Sequence, residues 1–304
     1  MSVVCRALIA TAVVGSIALG MPKPASAEVC DLTSVLGAQC GPGNTNTDNW
    51  SGHDGSPFAM GAIFQTVGPQ PTGTGYVDSF LRVQANGTER GYNSDFRPTQ
   101  FDEKTDLTFT HAITLAEVPV VTINGVNYRQ FFLDINENTS NPGSLLSLDQ
   151  LKIFLGPSSG LTGYTNGATN GYNTGTLPGA TMVYNLDTGL CTTNCNQTTN
   201  WSSTDNWIKL NYDLIGGGSG QGDMVAYVPD AYFQAGNPSA NPYVYLYSQF
   251  GTMDTSNAGF EEWWVHSPIQ PTTQNPVPEP ASLVLVGSGL VAAARRLRRR
   301  RAAA

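Results

Sequence analysis

Apolar residues in the middle of this chain alternate with polar ones in short runs, and no long stretch repeats with a helical period. Alternation puts successive side chains on opposite faces of an extended backbone, so each run can bury one face of a β-strand. The sharpest case is Val120–Ile123, then Asn124-Gly125, then residues 126–135. A two-residue type I′ hairpin needs positive φ at both central positions, and Asn-Gly reaches that conformation at the least steric cost. Similar runs lie at 62–67, 77–85, 107–115, 148–155, 182–186, 207–214, 224–228, 243–250 and 260–265. Roughly ten short strands without interleaved helices predict an all-β fold, an antiparallel β-sandwich of jelly-roll-like type over 61–266. Pro119 and Pro229 cannot donate to a ladder and should mark strand ends. The Gly/Asn/Thr/Tyr-rich stretch 156–179 is long enough for a functional or mobile loop. Residues 28–60 read as an irregular leading segment, and the Pro-rich stretch 267–277 as an extended linker.

The two ends are different in kind. Residues 1–6 are short and basic, 7–21 are apolar, Pro22-Lys23-Pro24 breaks the helix, and Ala25-Ser26-Ala27 is a small-residue cleavage site. This is the layout of a secretory signal helix, with signal peptidase expected to cut after Ala27. The residue after that site is Glu28 and no lipobox cysteine stands there, so a lipoprotein anchor is not expected, and Cys5 leaves with the signal. At the other end Pro278-Glu279-Pro280 precedes an apolar run at 281–294, and Arg295, Arg296, Arg298, Arg299, Arg300 and Arg301 follow. A spanning helix normally needs about 20 residues. Leu297 and the aliphatic stems of the arginines can extend the run, because arginine snorkels to the interface. The arginines should hold the cytoplasmic side of this membrane helix.

Val277-Pro278-Glu279-Pro280-Ala281-Ser282, the Leu/Val/Gly/Ala stretch and the Arg-rich end over 278–301 resemble the PEP-CTERM sorting signal. That family pairs it with a Sec-type signal at the N-terminus. The resemblance implies recognition by exosortase, a membrane-embedded cysteine protease or transpeptidase of Gram-negative bacteria. It also implies removal of the tail near Pro278-Glu279-Pro280, and association with exopolysaccharide and biofilm matrix. The expected itinerary is export, anchoring at the inner membrane in transit, then the cell surface or the extracellular matrix.

The arginine tail hides the charge of what remains. Residues 28–280 hold all 23 acidic residues and only seven basic ones: Arg82, Arg90, Arg97, Lys104, Arg129, Lys152 and Lys209. The processed domain is thus near 16 net negative, against 8 for the whole chain. Nucleic acid is excluded as a partner, because its phosphates need basic patches. Anionic membrane surfaces are excluded on the same ground. Such a surface suits a dispersed extracellular domain or one that gathers divalent cations.

Four cysteines outlast the signal peptide, and in an oxidising compartment an even count points to disulfides. Cys30–Cys40 and Cys191–Cys195 would each close a short polar loop. Zinc is the alternative, but no histidine lies near either pair and the spacings suit zinc poorly.

Candidate sites are sparse. Tyr243, Tyr245 and Tyr247 share one face of a strand and could stack on sugar rings, with Trp50, Trp201 and Tyr164 as further platforms. The competing reading is packing within the sandwich. Asp134, Asn136 and Asn138 place oxygen donors on alternate positions as a strand enters a turn, with Asp149 further on. These suit Ca²⁺ as a cofactor, or an ordinary Asx-rich turn. Glu261 and Glu262 precede Trp263-Trp264. Glycoside hydrolysis needs two carboxylates about 5 to 10 Å apart on one sugar, and strand neighbours face opposite ways. Glu261 or Glu262 would therefore need Asp134 or Asp149 as partner. The simpler expectation is one tryptophan in the core and one solvated glutamate. The Gly-rich stretch 216–223 lacks the Lys-Ser/Thr of a phosphate loop, Ser219 is not in a nucleophile elbow, and His53, His111 and His266 are scattered. The expected protein is therefore exported, sorted by its C-terminus, non-catalytic, and polysaccharide-associated or adhesive. The alternatives are a glycan-active hydrolase on a β-sandwich and a purely structural matrix component.

Overall fold

A computed structural model describes residues 29–41, 50–51, 61–67, 78–140, 142–166, 168–169, 172–173, 175–187, 206–215 and 222–265. In chain order the strands are β1 (Val29–Asp31), β2 (Gln39–Cys40), β3 (Trp50–Ser51), β4 (Ile63–Thr66), β5 (Ser79–Val83) and β6 (Glu89–Tyr92). Next come β7 (Ile113–Thr114), β8 (Val120–Ile123), β9 (Val126–Asp134), β10 (Leu145–Gly156), β11 (Ala168–Thr169) and β12 (Tyr172–Asn173). The series ends with β13 (Thr181–Asn185), β14 (Trp207–Asn211), β15 (Met224–Pro229), β16 (Tyr243–Phe250) and β17 (Glu261–Trp264). One short helix, α1 (Asp230–Ala235), follows β15.

The strands form two main sheets. The first runs β3-β1-β14-β10-β16-β6, with β13 also on β10 and β7 on β16. The second runs β2-β4-β15-β9-β17-β5, with β8 also on β9. Pairing is antiparallel except between β1 and β14, which are parallel, so the expected all-antiparallel sandwich is mixed at one seam. The inward residues are those alternation selects: Leu151, Ile153 and Leu155 from β10, Val244 and Leu246 from β16, Phe131 and Leu133 from β9, and Trp263 from β17. The hairpin forms as the turn chemistry requires, with Asn124 at φ 50° and Gly125 at φ 81° between β8 and β9. Pro229 ends β15, and Pro119 immediately precedes β8.

Two expectations fail for local reasons. Residues 107–115 alternate in sequence, but only Ile113–Thr114 is strand. The Asp106 carboxylate accepts the Thr108 amide at 2.9 Å. Its carbonyl accepts the amides of Phe109 and Thr110 at 3.0 and 3.1 Å, so an Asx turn takes the run out of extended conformation. The leading segment is not simply irregular either, because β1 and β3 join the first sheet and β2 joins the second. Cys30 in β1 and Cys40 in β2 form a disulfide. That bond ties the first sheet to the second. Replacing both cysteines by serine should cost about 2–3 kcal/mol, the loop-closure entropy returned to the unfolded chain. Urea denaturation of the oxidised protein and the double variant measures it directly. Cys191 and Cys195, the signal segment 1–27, the linker 267–277 and the tail 278–301 lie outside the described residues. Among the described residues no helix is long and apolar enough to cross a membrane.

Candidate functional site

The tyrosine row exists, but it is roofed over. Tyr243, Tyr245 and Tyr247 point away from the core on β16, and the last two are fully buried. Tyr164, from the 156–179 stretch, stacks on Tyr247 at 4.1 Å between ring centroids and 16° between planes. Phe101 meets Tyr247 edge-on, while Tyr92, Phe154 and Leu177 complete the cluster. The Tyr245 hydroxyl donates to the Ser158 carbonyl and accepts the Leu161 amide at 3.0 Å, which pins the loop to the sheet. Gly175 is fixed by the same contact, since a Cβ there would lie 2.0 Å from the Tyr164 hydroxyl oxygen. The rings of Tyr245 and Tyr247, expected to meet sugar, are covered by protein, because burying aromatic area on the sheet outweighs leaving it wet, while Tyr243 stays half-buried. Trp50 forms part of β3, and Trp201 lies outside the described residues.

A cation sits at one end of this cluster. Lys152 is fully buried although it interrupts the apolar run 151–155 of β10. It pairs directly with Asn185 across β10 and β13 and with Tyr247 across β10 and β16. Its Nζ donates to Gln150 Oε1 at 2.7 Å and lies 5.6 Å from the centre of the Tyr247 ring. Burial draws its pKa down to about 8, and the nearby Asp187 carboxylate opposes the shift.

A second polar constellation closes one end of the core. Glu89 from β6 and Glu261 from β17 lie on opposite sheets, both with no exposed surface, and hydrogen-bond to each other. Glu137, just beyond β9, interacts with both. Each carboxyl uses one oxygen on the backbone: Glu89 accepts Ala85 N at 2.7 Å, Glu137 accepts Asn257 N at 2.9 Å, and Glu261 accepts Asn136 N at 3.5 Å. The other oxygens, Glu89 Oε1, Glu137 Oε1 and Glu261 Oε2, meet no hydrogen-bond donor while all three groups are ionised. Burial, reinforced by the neighbouring glutamates, raises Glu261 well above its ordinary value and Glu137 to about 7. Burial and the adjacent Glu89 thus make Glu261 hold its proton more tightly than an ordinary glutamate does. Asp134 and Asp223 form a comparable pair beside the second sheet. Asp223 accepts Ile135 N at 2.8 Å, and its pKa is raised by burial and then by Asp134.

The residues expected to bind Ca²⁺ are divided among these arrangements. Asp134 pairs with Asp223, the Asn136 amide serves Glu261, Asn138 bonds to Asn257, and Asp149 accepts Thr252 N at 2.7 Å from the bulge in β10. Among the described residues no group of three or more acidic, histidine or cysteine side chains is arranged to hold a metal ion. Glu262 and Asp134 are cross-strand neighbours, as a carboxylate pair would require. Glu262 is nevertheless buried rather than solvated, held by Arg82 Nε at 2.6 Å. The Arg82 guanidinium is flanked by Phe109 and Phe260, at 3.6 and 4.1 Å from the ring centres. A solvated glutamate was the wrong expectation because β5 supplies a desolvated cation directly opposite.

The comparisons with known proteins bear on the C-terminus. Residues 276–300 match the family model of the PEP-CTERM protein-sorting motif. The chain carries a PEP-CTERM sorting signal. The match spans Pro278, Glu279, Pro280 and the arginines through Arg300. This motif marks a protein processed by exosortase and exported through that membrane-associated pathway to the cell surface. No curated protein and no solved structure matches the chain.

The buried polar groups Lys152, Asp187, Glu89, Glu137 and Asp223 are not legible as sites in the sequence. Lys152 had a visible signal, as a lone cation inside Leu151-Lys152-Ile153-Phe154-Leu155. The glutamates had none, because their meeting depends on how two sheets are superposed.

Proposed function

We propose that the processed domain is a non-catalytic module of the cell surface or extracellular matrix, associated with polysaccharide and released from its membrane-held precursor near Pro278-Glu279-Pro280. The observation that carries the reading is the sorting motif, which begins 12 residues after the last strand ends at Trp264. That spacing supports a folded sandwich that can stand clear of the membrane while the tail is held. The composition of 28–280 supports it too, since an acidic domain with seven basic residues stays dispersed among anionic polymers and lipids.

Two measurements test it. Mass spectrometry of the exported protein should find an N-terminus at Glu28 and a C-terminus near Pro280; an intact Arg-rich end would sink the processing scheme. Incubation with a panel of immobilised acidic and neutral polysaccharides should retain the domain and leave chain lengths unchanged. Failure to bind any of them removes the polysaccharide association, and shortened chains would make it a glycan-active hydrolase.

A further inference from the structure

We propose that Lys152 and Asp187 become joined by an amide bond, a covalent cross-link between β10 and the end of β13. The strand register brings them together. Lys152 faces Asn185, and the ladder continues through the Leu186 amide, which donates to the Leu151 carbonyl at 2.9 Å. Asp187 is therefore level with Gln150 on the face that carries Lys152, one diagonal step from the lysine. Diagonal neighbours on adjacent strands lie about 7–8 Å apart at the backbone, within reach of a lysine stem. Asp187 interacts electrostatically with the Lys152 ammonium.

The surroundings favour condensation over a lasting ion pair. Both side chains are withdrawn from water, at 0% and 5% exposure. A dry ammonium–carboxylate pair loses hydration that its mutual attraction replaces only in part. Transfer of one proton from Lys152 to Asp187 removes both charges, and burial already draws the lysine towards its neutral form. The free amine can then attack the Asp187 carboxyl carbon. Two hydroxyls that sense Asp187, those of Tyr164 and Tyr184, are buried without a hydrogen-bond partner. Tyr164, which packs on the face that carries Lys152, is the one placed to donate to the oxyanion of the tetrahedral intermediate. The attack forms the C–N bond; collapse restores the C=O and breaks the C–OH bond, and the hydroxyl leaves as water with the proton from nitrogen. The balance is one amine and one carboxylic acid giving one amide and one water, with no oxidant and no outside reagent. The cross-link would close the chain around the 157–180 loop and lock Tyr164 over the tyrosine row.

The test is the mass of the exported, reduced, alkylated and denatured protein. The expected mass falls short of the sequence by one water, and a digest yields a branched peptide joining Lys152 to Asp187. Lys152→Met should restore the full mass. If that variant does not fold, the wild-type digest still decides. Linear peptides with an unmodified Lys152 overturn the proposal. So does a branch from Lys152 to Asn185 or Gln150, which would release ammonia instead of water.

Discussion

Trp263→Ala should cost about 3–5 kcal/mol of stability. Domains of this kind hold only about 5–15 kcal/mol in all, so the variant should be partly unfolded at physiological temperature. Trp263 is wholly buried in β17, with Leu133 and Leu81 as its cross-strand partners. It is also a polar link between the sheets, because its indole Nε1 donates to Ser248 Oγ on β16 at 3.1 Å. Truncation opens a cavity that two hydrogen-bonded sheets cannot close and leaves a buried hydroxyl without its donor. An unsatisfied buried group adds about 1–3 kcal/mol. Trp263→Phe separates the two effects, since it keeps most of the ring volume and loses only the donor. Urea midpoints for the three proteins should therefore fall in the order wild type, Trp263→Phe, Trp263→Ala. Equal midpoints for Trp263→Ala and wild type would show that β17 is not part of the cooperative core.

What was legible in the sequence was local. β16 runs over the predicted residues because Tyr243–Phe250 alternates without interruption, and the β8–β9 hairpin follows from two residues whose φ angles are chemically constrained. The sorting signal was legible because it is a linear string read by an enzyme, with no fold needed to assemble it. β1 and β2, three and two residues long, carry too little pattern to read. Residues 107–111 carried a pattern that Asp106 overrode. The tyrosine row shows the limit most clearly. Alternation gave its common face, but whether that face meets sugar or protein depends on the loop holding Tyr164, which has no period at all. Lys152 was visible as an anomaly, yet only the β10–β13 register shows that Asp187 lies beside it.

The buried carboxyls lead to the other large expected effect: thermal stability should fall steadily from pH 5 to pH 8. The sign follows from the direction of the shifts. Glu137, Glu261 and Asp223 are all raised in the folded state, so folding takes up protons wherever the unfolded chain has already lost them. Their stabilising contribution is complete below the ordinary carboxyl range. For Glu137 it disappears as pH rises from about 4.5 to about 7. Glu261 and Asp223 are raised well above their ordinary values, so their contribution is likewise lost as pH rises. Each proton held only by the folded state tilts stability by about 1.4 kcal/mol per pH unit. The measured slope therefore counts how many such protons are retained, with the smaller upward shifts of Glu103 and Asp149 adding in the same direction. Glu261→Gln should flatten the profile, because the amide can still donate to Glu89 while removing a charge that would have to form opposite it across the core. At pH 8 this variant should melt above the wild type, and at pH 5 the two should be close. A wild-type midpoint that stays level from pH 5 to 8 would mean that the carboxyls find compensation outside the contacts described. With no cation among the neighbours that act on Glu137 or Glu261, the expected direction is downward.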